Sequence, residues 1–324
     1  MARVLRLHQF GGPEVLRWEE VELPAPGPQE VRVRHTAIGL NFSDIYLRTG
    51  LYARPLPSGM GSEAAGVIEQ VGRRVRGLRP GDRVAYYYSG SAGAYASERL
   101  LPADALVKIP AGVSDEQAAA VMLKGLTSWF LLRRTHRVRR GEVLLVPAAA
   151  GGVGLILCQW ARALGARVIG AVGSEPKAVL ARRHGCQQVL VGYHDLAARA
   201  RALNRGRGVD VVYDGVGRET FVGALDALRP RGLMVIFGNA SGAVEPIAPL
   251  ELARRGSLFL TRPTAVDYVQ EPRERSIGAR ELFGLIRRRA IRVLVGQRFP
   301  LAEAVQAQQA LETRRTIGST VLLP

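Results

Sequence analysis

The chain has 324 residues, 47% of them apolar, which is long enough for two domains with sizeable cores. Two cysteines, Cys158 and Cys186, exclude a disulfide framework and a four-cysteine metal site, and match the usage of a reduced, cytoplasmic enzyme. The formal charge of +17 comes from basic residues scattered through the sequence without an aromatic-interleaved stripe, which favours a diffusely basic surface over dedicated nucleic-acid binding.

The N-terminus alternates in charge and has no apolar signal core. Residues 1 to about 125 read as β-rich. Val31-Arg-Val-Arg-His35 alternates with period two, and further short strands fit 66–71, 81–88 and 94–101 between Gly, Pro and Asp turns. Strands at this spacing suit a compact barrel or sandwich. The texture changes near Ser114, where Ser114 and Gln117 form a capping box for an Ala-, Leu- and Met-rich helix over 115–132.

From Gly141 onward apolar runs alternate with amphipathic helices. Strands are expected at 143–147, 167–172, 188–191, 209–213, 231–237 and 257–261, with helices such as 175–184 and 218–228 between them. This alternation predicts a doubly wound parallel sheet. Helices near 274–289 and 301–313 follow, and then a last strand, 319–323, able to rejoin the N-terminal β region. The longest uncharged run, 143–161, approaches membrane-spanning length, but Pro147 and a glycine cluster break it. It reads as a buried strand plus a helix, so no membrane partner is expected.

That cluster is the centre of the functional reading. Val143-Leu-Leu-Val146 leads into Pro147-Ala-Ala-Ala-Gly-Gly-Val-Gly154 and then a helical apolar stretch, the order of a dinucleotide-binding corner. Ala149, Gly151 and Gly154 fill its three small-residue slots. The helix N-terminus behind them offers free N–H groups and a positive dipole end to a pyrophosphate. The next strand ends in Gly173-Ser174-Glu175-Pro176-Lys177. An acid at that strand end would select NAD; a hydroxyl and an ammonium suit the 2′-phosphate of NADP instead. Lys177 also reads as an ordinary exposed helix lysine. Two later strand ends, Asp214-Gly-Val-Gly217 and Phe237-Gly-Asn-Ala-Ser-Gly242, suit a ligand or simple turns.

Six motifs taken jointly resemble the zinc-independent, zeta-crystallin-like quinone oxidoreductase branch of the medium-chain dehydrogenase/reductase superfamily, over nearly the whole chain. They are Gly11-Gly-Pro-Glu-Val-Leu16, Gly39-Leu-Asn-Phe-Ser-Asp44, Gly59-Met-Gly-Ser-Glu-Ala-Ala-Gly66, Pro80-Gly-Asp-Arg-Val84, Lys124-Gly-Leu-Thr127 and Ala148-Ala-Ala-Gly-Gly-Val-Gly154. The resemblance implies an α/β protein: a GroES-like β-barrel catalytic domain (1–125 and 266–324) plus a Rossmann-type NADP-binding domain (126–265). It implies a homodimer joined by the edge strand 257–261. Zinc-dependent relatives carry a Cys where this chain has Asn41, a His where it has Ser62, and a four-cysteine lobe that is missing here. No zinc is therefore expected, and His8, His35, His136, His184 and His194 show no ligand spacing.

By the same resemblance, Asn41 contacts the nicotinamide ribose and Thr127 the nicotinamide end. Gly151, Gly152 and Val153 serve the pyrophosphate, and Gly173, Ser174, Lys177 and Tyr193 surround the 2′-phosphate. Gly217, Phe237, Gly238, Asn239 and Ser241 flank the cofactor, with Thr261 and Arg262 on the nicotinamide side. Arg314 is a further cofactor residue, with Arg315 competing for its place. Tyr46, Arg48 and Tyr52 cluster after Asn41 as the substrate group; a tyrosine hydroxyl there steadies a developing oxyanion, or it packs a loop and water supplies the proton. The expected activity is reduction of quinones by NADPH. The alternatives are reduction of an activated carbon–carbon double bond in an enone or enal and, from a different class, nucleic-acid binding.

Overall fold

Strand β3 (Glu30–Leu40) is the hub of the first part of the chain in the computed structural model, which describes residues 1–313 and 315–324. Its alternating residues Val31, Val33, His35 and Ala37 are buried, and its end is buried on both sides. The strands of this part are β1 (Ala2–Leu7), β2 (Leu16–Val21), β3, β4 (Ser58–Gly59), β5 (Glu63–Val71), β6 (Arg83–Tyr87), β7 (Glu98–Pro102) and β8 (Leu106–Lys108). Helix α1 (Phe42–Arg48) follows β3 directly. Strands β5 and β7 both pair antiparallel with β3, while β1 joins β2 and β4 in a small separate sheet. Helix α2 (Asp115–Phe130) begins with the expected capping box: Gln117 N–H donates to Ser114 Oγ and Ser114 N–H to Gln117 Oε1, each at 3.1 Å.

The parallel sheet takes its elements in alternation: β9 (Val143–Pro147), α3 (Gly152–Ala163), β10 (Arg167–Val172), α4 (Glu175–Arg183), β11 (Gln188–Val191), α5 (Leu196–Leu203), β12 (Val209–Asp214), α6 (Phe221–Ala227), β13 (Leu228–Ile236), α7 (Pro249–Arg254) and β14 (Phe259–Thr261). Its order is β11-β10-β9-β12-β13-β14, every pairing parallel. The order reverses between β9 and β12, so the loops at the carboxyl ends of those two strands flank a switch point, where open α/β sheets bind ligands. Strand β14 is shorter than the expected 257–261 because Gly256 and Ser257 both take positive φ, 99° and 56°, and turn the chain before Phe259. Helix α6 starts at Phe221 rather than 218 because Gly217–Thr220 is held in a turn by Asp214.

Helices α8 (Ala265–Val269) and α9 (Pro272–Arg287), strand β15 (Val295–Pro300), helix α10 (Ala304–Glu312) and strand β16 (Ser319–Leu323) complete the chain. Strand β16 pairs antiparallel with β3 and parallel with β15. By internal contacts the chain divides into Met1–Leu126 with Val269–Arg287 and Val293–Pro324, the first unit, and Thr127–Tyr268 with Arg288–Arg292, the second. Among the described residues no helix is long and apolar enough to cross a membrane.

Candidate functional site

In the second unit the corner after β9 is a tight turn. Ala148 adopts the left-handed conformation (φ 54°), and Gly151 N–H closes the turn on the Ala148 carbonyl at 2.8 Å. Gly151 is then the N-cap of α3 and supplies no side chain, so the N–H groups of Gly152 and Val153 are left to an incoming acceptor. A side chain at Gly154 would collide with the Ala148 carbonyl and with Ala149, so the close approach of helix to turn requires glycine there. Ala149 is fully buried beneath the turn.

At the end of β10, Gly173 is exposed, and a Cβ added to it would meet nothing within 4 Å. Ser174 is the N-cap of α4, and its side chain makes no capping bond. Lys177, in the first turn of the same helix, is half-buried, while Glu175 is exposed. Gly192 N–H donates to Val172 O at 2.8 Å, which draws the loop carrying Tyr193 to the end of β10. Tyr193 is half-buried against the core of the sheet. The structure thus brings Gly173, Ser174, Lys177 and Tyr193 to two adjacent strand ends.

The ends of β12 and β13 are built around Asp214, which has no solvent exposure. Its Oδ1 accepts from Val216 N–H at 2.7 Å and Gly217 N–H at 3.3 Å, and its Oδ2 accepts from Thr220 Oγ1 at 2.7 Å. Burial pushes this carboxyl up, and the three donors hold it back. Phe237 packs over Gly215, and Gly238 lies against the Gly215 carbonyl. Ser241 lies in the loop that follows β13. Its hydroxyl donates to Val216 O at 2.8 Å and accepts from Glu219 N–H at 3.0 Å, so it latches two loops together at the ends of β12 and β13. Asn239 is half-buried in the same loop. Thr261 ends the edge strand opposite Val235, and Arg262 Nη1 donates back to Ile236 O at 3.2 Å and to Pro263 O at 3.3 Å. Thr127 is buried on α2. Arg314 lies outside the described residues.

The first unit holds a buried polar cluster at the junction of β3 and α1. Asn41, 6% exposed, donates from Nδ2 to Glu63 Oε1 at 2.6 Å, and its backbone N–H donates to Asp44 Oδ2 at 2.9 Å. Lys124 Nζ donates to the same Glu63 oxygen at 3.0 Å and to Leu40 O at 3.2 Å. Leu123 N–H donates to Glu63 Oε2 at 2.5 Å. Tyr95 hydroxyl donates to Asp44 Oδ2 at 3.0 Å. Burial pushes the Asp44 carboxyl up to about 7 against these donors, with a small further rise from the Glu63 charge.

Beside the cluster, Phe42, Tyr46 and Tyr52 form an aromatic row, with ring centroids 6.1 Å apart for the first pair and 5.2 Å, edge to face, for the second. Tyr46 is half-buried and Tyr52 exposed. Arg48 does not join them as a substrate group. It is 0% exposed, and its guanidinium is committed to Gln308 Oε1 (2.7 Å), Gly11 O (2.6 Å) and Glu312 Oε1 (2.5 Å), so it clamps α1 to α10. Glu63 and Lys124 were not singled out from sequence. The available signal was a carboxylate opening the apolar strand Glu-Ala-Ala-Gly-Val-Ile and an ammonium inside an Ala- and Met-rich helix, both inside motifs quoted above.

Zinc needs a set of nitrogen, sulfur or carboxylate donors. Among the described residues no group of three or more His, Cys, Asp or Glu is arranged to hold a metal ion. The corner of the second unit does fit an anionic dinucleotide, with its uncapped helix start and the open space over Gly173.

Residues 27–111 match the family model described as an alcohol dehydrogenase GroES-like domain, and residues 152–270 match that of a zinc-binding dehydrogenase. A quinone oxidoreductase of Pseudomonas aeruginosa is 52% identical over all of both chains. A 2-haloacrylate reductase of Burkholderia sp is 44% identical over 98% of each. The crystal structure of Escherichia coli quinone oxidoreductase complexed with NADPH is similar at a TM-score of 0.96 and 46% identity, covering 100% of both chains.

Proposed function

The chain belongs to the quinone oxidoreductase family of the medium-chain dehydrogenase/reductase superfamily, and from that premise we propose that it is an NADPH:quinone reductase that works without zinc. The observation that carries the reading is the uncapped start of α3 on the same sheet as the β10 end, where Gly173 and Ser174 stand in the positions an NAD-selective site gives to an acid. Bound NADPH supplies the hydride from its nicotinamide ring. The protein binds, orients and shields it.

In this reading Gly151, Gly152 and Val153 hold the pyrophosphate. Gly173 leaves room for the adenosine ribose, with Ser174, Lys177 and Tyr193 around its 2′-phosphate. Gly217, Phe237, Gly238, Asn239 and Ser241 line the nucleotide from the later strand ends, and Thr261, Arg262 and Thr127 bound its nicotinamide end. Asn41 holds the nicotinamide ribose. Tyr46 and Tyr52 form an aromatic wall for a flat acceptor, and a tyrosine hydroxyl hydrogen-bonds the acceptor oxygen as charge develops on it. That step needs no metal ion in this reading. The same reading takes the protein as a cytoplasmic homodimer with no membrane or nucleic-acid partner, joined through β14, whose Phe259 is 61% exposed at the sheet edge.

The Burkholderia relative supports a second reading, reduction of an activated carbon–carbon double bond with the same cofactor. NADPH oxidation measured against a panel of ortho- and para-quinones and short enones separates the two. Turnover with quinones is expected. Turnover with enones and none with any quinone would reverse the order.

A further inference from the structure

We propose that Glu63 and Lys124 are positioning residues that hold Asn41 in its working orientation, an inference that rests on the nicotinamide-ribose role given to Asn41 above. An asparagine side chain has a free amide rotation, and its two ends have opposite hydrogen-bonding character. In the first unit that choice is made by the neighbours. Glu63 Oε1 takes the Asn41 Nδ2 donor at 2.6 Å, so the amide nitrogen faces the carboxylate.

The carboxylate is itself fixed from two sides. Lys124 Nζ holds Oε1 at 3.0 Å and Leu123 N–H holds Oε2 at 2.5 Å, both from α2. Glu63 is fully buried and Lys124 is 6% exposed, so each ion needs the other. Lys124 also donates to Leu40 O at 3.2 Å, the carbonyl directly before Asn41. The ammonium therefore fixes both the backbone entering Asn41 and the group that orients its side chain. Asp44 completes the hold by accepting from Asn41 N–H. This is more restraint than capping a seven-residue helix requires, and it converges on one amide.

A group acting only through Asn41 should lose its effect when Asn41 is gone. The test is a double-mutant cycle of Asn41→Ala and Lys124→Met, reading kcat with a quinone and NADPH affinity by fluorescence, with thermal melting to establish folding. Lys124→Met alone is expected to lower kcat/KM by roughly 10- to 100-fold, since small misplacement of an orienting group carries costs of that size. In the Asn41→Ala background the same change should cost little more. Independent, multiplying losses from Asn41→Ala and Lys124→Met would overturn the proposal, as would an unchanged kcat/KM in a folded Lys124→Met protein. If Lys124→Met does not fold, the same cycle run with Glu63→Gln carries the same two outcomes. Failure of the wild-type protein to oxidise NADPH with any quinone would instead strike the functional reading, so the two failures are told apart.

Discussion

Tyr95 donates its hydroxyl to Asp44 at 3.0 Å inside the first unit, and this bond is made to a carboxyl that burial has pushed up to about 7. The consequence for stability has a definite sign. Below about pH 4 the group is protonated in both folded and unfolded chains. As pH rises from about 4 to 7 the unfolded chain ionises first, so the contribution of Asp44 to stability is lost across that window and is constant above it. Asp44→Asn keeps an oxygen for Tyr95 and for Asn41 N–H but removes the titration. It should gain on wild type progressively between about pH 4 and 7, reaching roughly 2–4 kcal/mol. Urea unfolding of both proteins across that range checks this; parallel curves would refute it. The comparison must be a difference between the two proteins, because buried His35, held down to about 4, contributes the opposite slope.

The placement of Arg48 makes a second prediction. With its guanidinium buried and bonded to Gln308, Gly11 and Glu312, Arg48→Met should cost stability, roughly 3 kcal/mol, because it strands a carboxylate and two acceptors. At a temperature where the variant is folded, its KM for quinone should match wild type. A selective rise in that KM with unchanged melting would return Arg48 to the substrate.

These residues also mark where sequence reading succeeds and where it stops. Val143–Pro147 is buried at every position, so it stands out as an unbroken apolar run, and the glycine corner behind it follows a local pattern. Strand β15, by contrast, alternates between half-buried and exposed residues and includes Gly296 and Arg298, so it carries no comparable signal. Strand 257–261 lost its first residues to a left-handed turn that apolarity does not encode. Arg48 was misread because its partners Gln308 and Glu312 lie 260 and 264 residues away. Glu63 and Lys124 hide for the same reason: 61 residues separate them, and only the fold reveals that each answers the other.

Two glycines of the cofactor sheet should respond differently to substitution. Gly154→Ala forces a methyl group into the Ala148 carbonyl and the Ala149 backbone, so it should lower melting temperature and NADPH affinity together. Gly173→Val adds its side chain to open space, so it should melt close to wild type and yet bind NADPH at least about tenfold more weakly, by occupying room the nucleotide needs. Calorimetry and a binding titration on each variant suffice. Normal NADPH affinity in Gly173→Val would move the nucleotide away from the end of β10.

The aromatic row in the first unit is testable by removing single oxygens. Tyr46→Phe and Tyr52→Phe preserve the edge-to-face ring contact at 5.2 Å, and melting curves establish that each variant is folded. If either hydroxyl steadies charge on the acceptor, kcat should fall roughly 10- to 100-fold while the NADPH dissociation constant stays put. Unaltered quinone turnover in both variants would leave the row as packing, with the proton drawn from water.

Cofactor choice should rest on the first turn of α4. Lys177 and Ser174 stand at the end of β10 beside Gly173, and the exposed Glu175 between them complements the helix start instead of excluding an anion. A 2′-phosphate carries two negative charges that a ribose hydroxyl lacks, so an ammonium there discriminates by charge, and its loss is felt by only one of the two nucleotides. Lys177→Ala should therefore weaken NADPH by roughly tenfold and NADH by less than about twofold, with the gap shrinking as salt rises and screens the pair. Dissociation constants for both nucleotides at two ionic strengths decide the matter. Equal loss for NADPH and NADH would assign Lys177 to the helix surface and shift the selectivity to Ser174 and Tyr193.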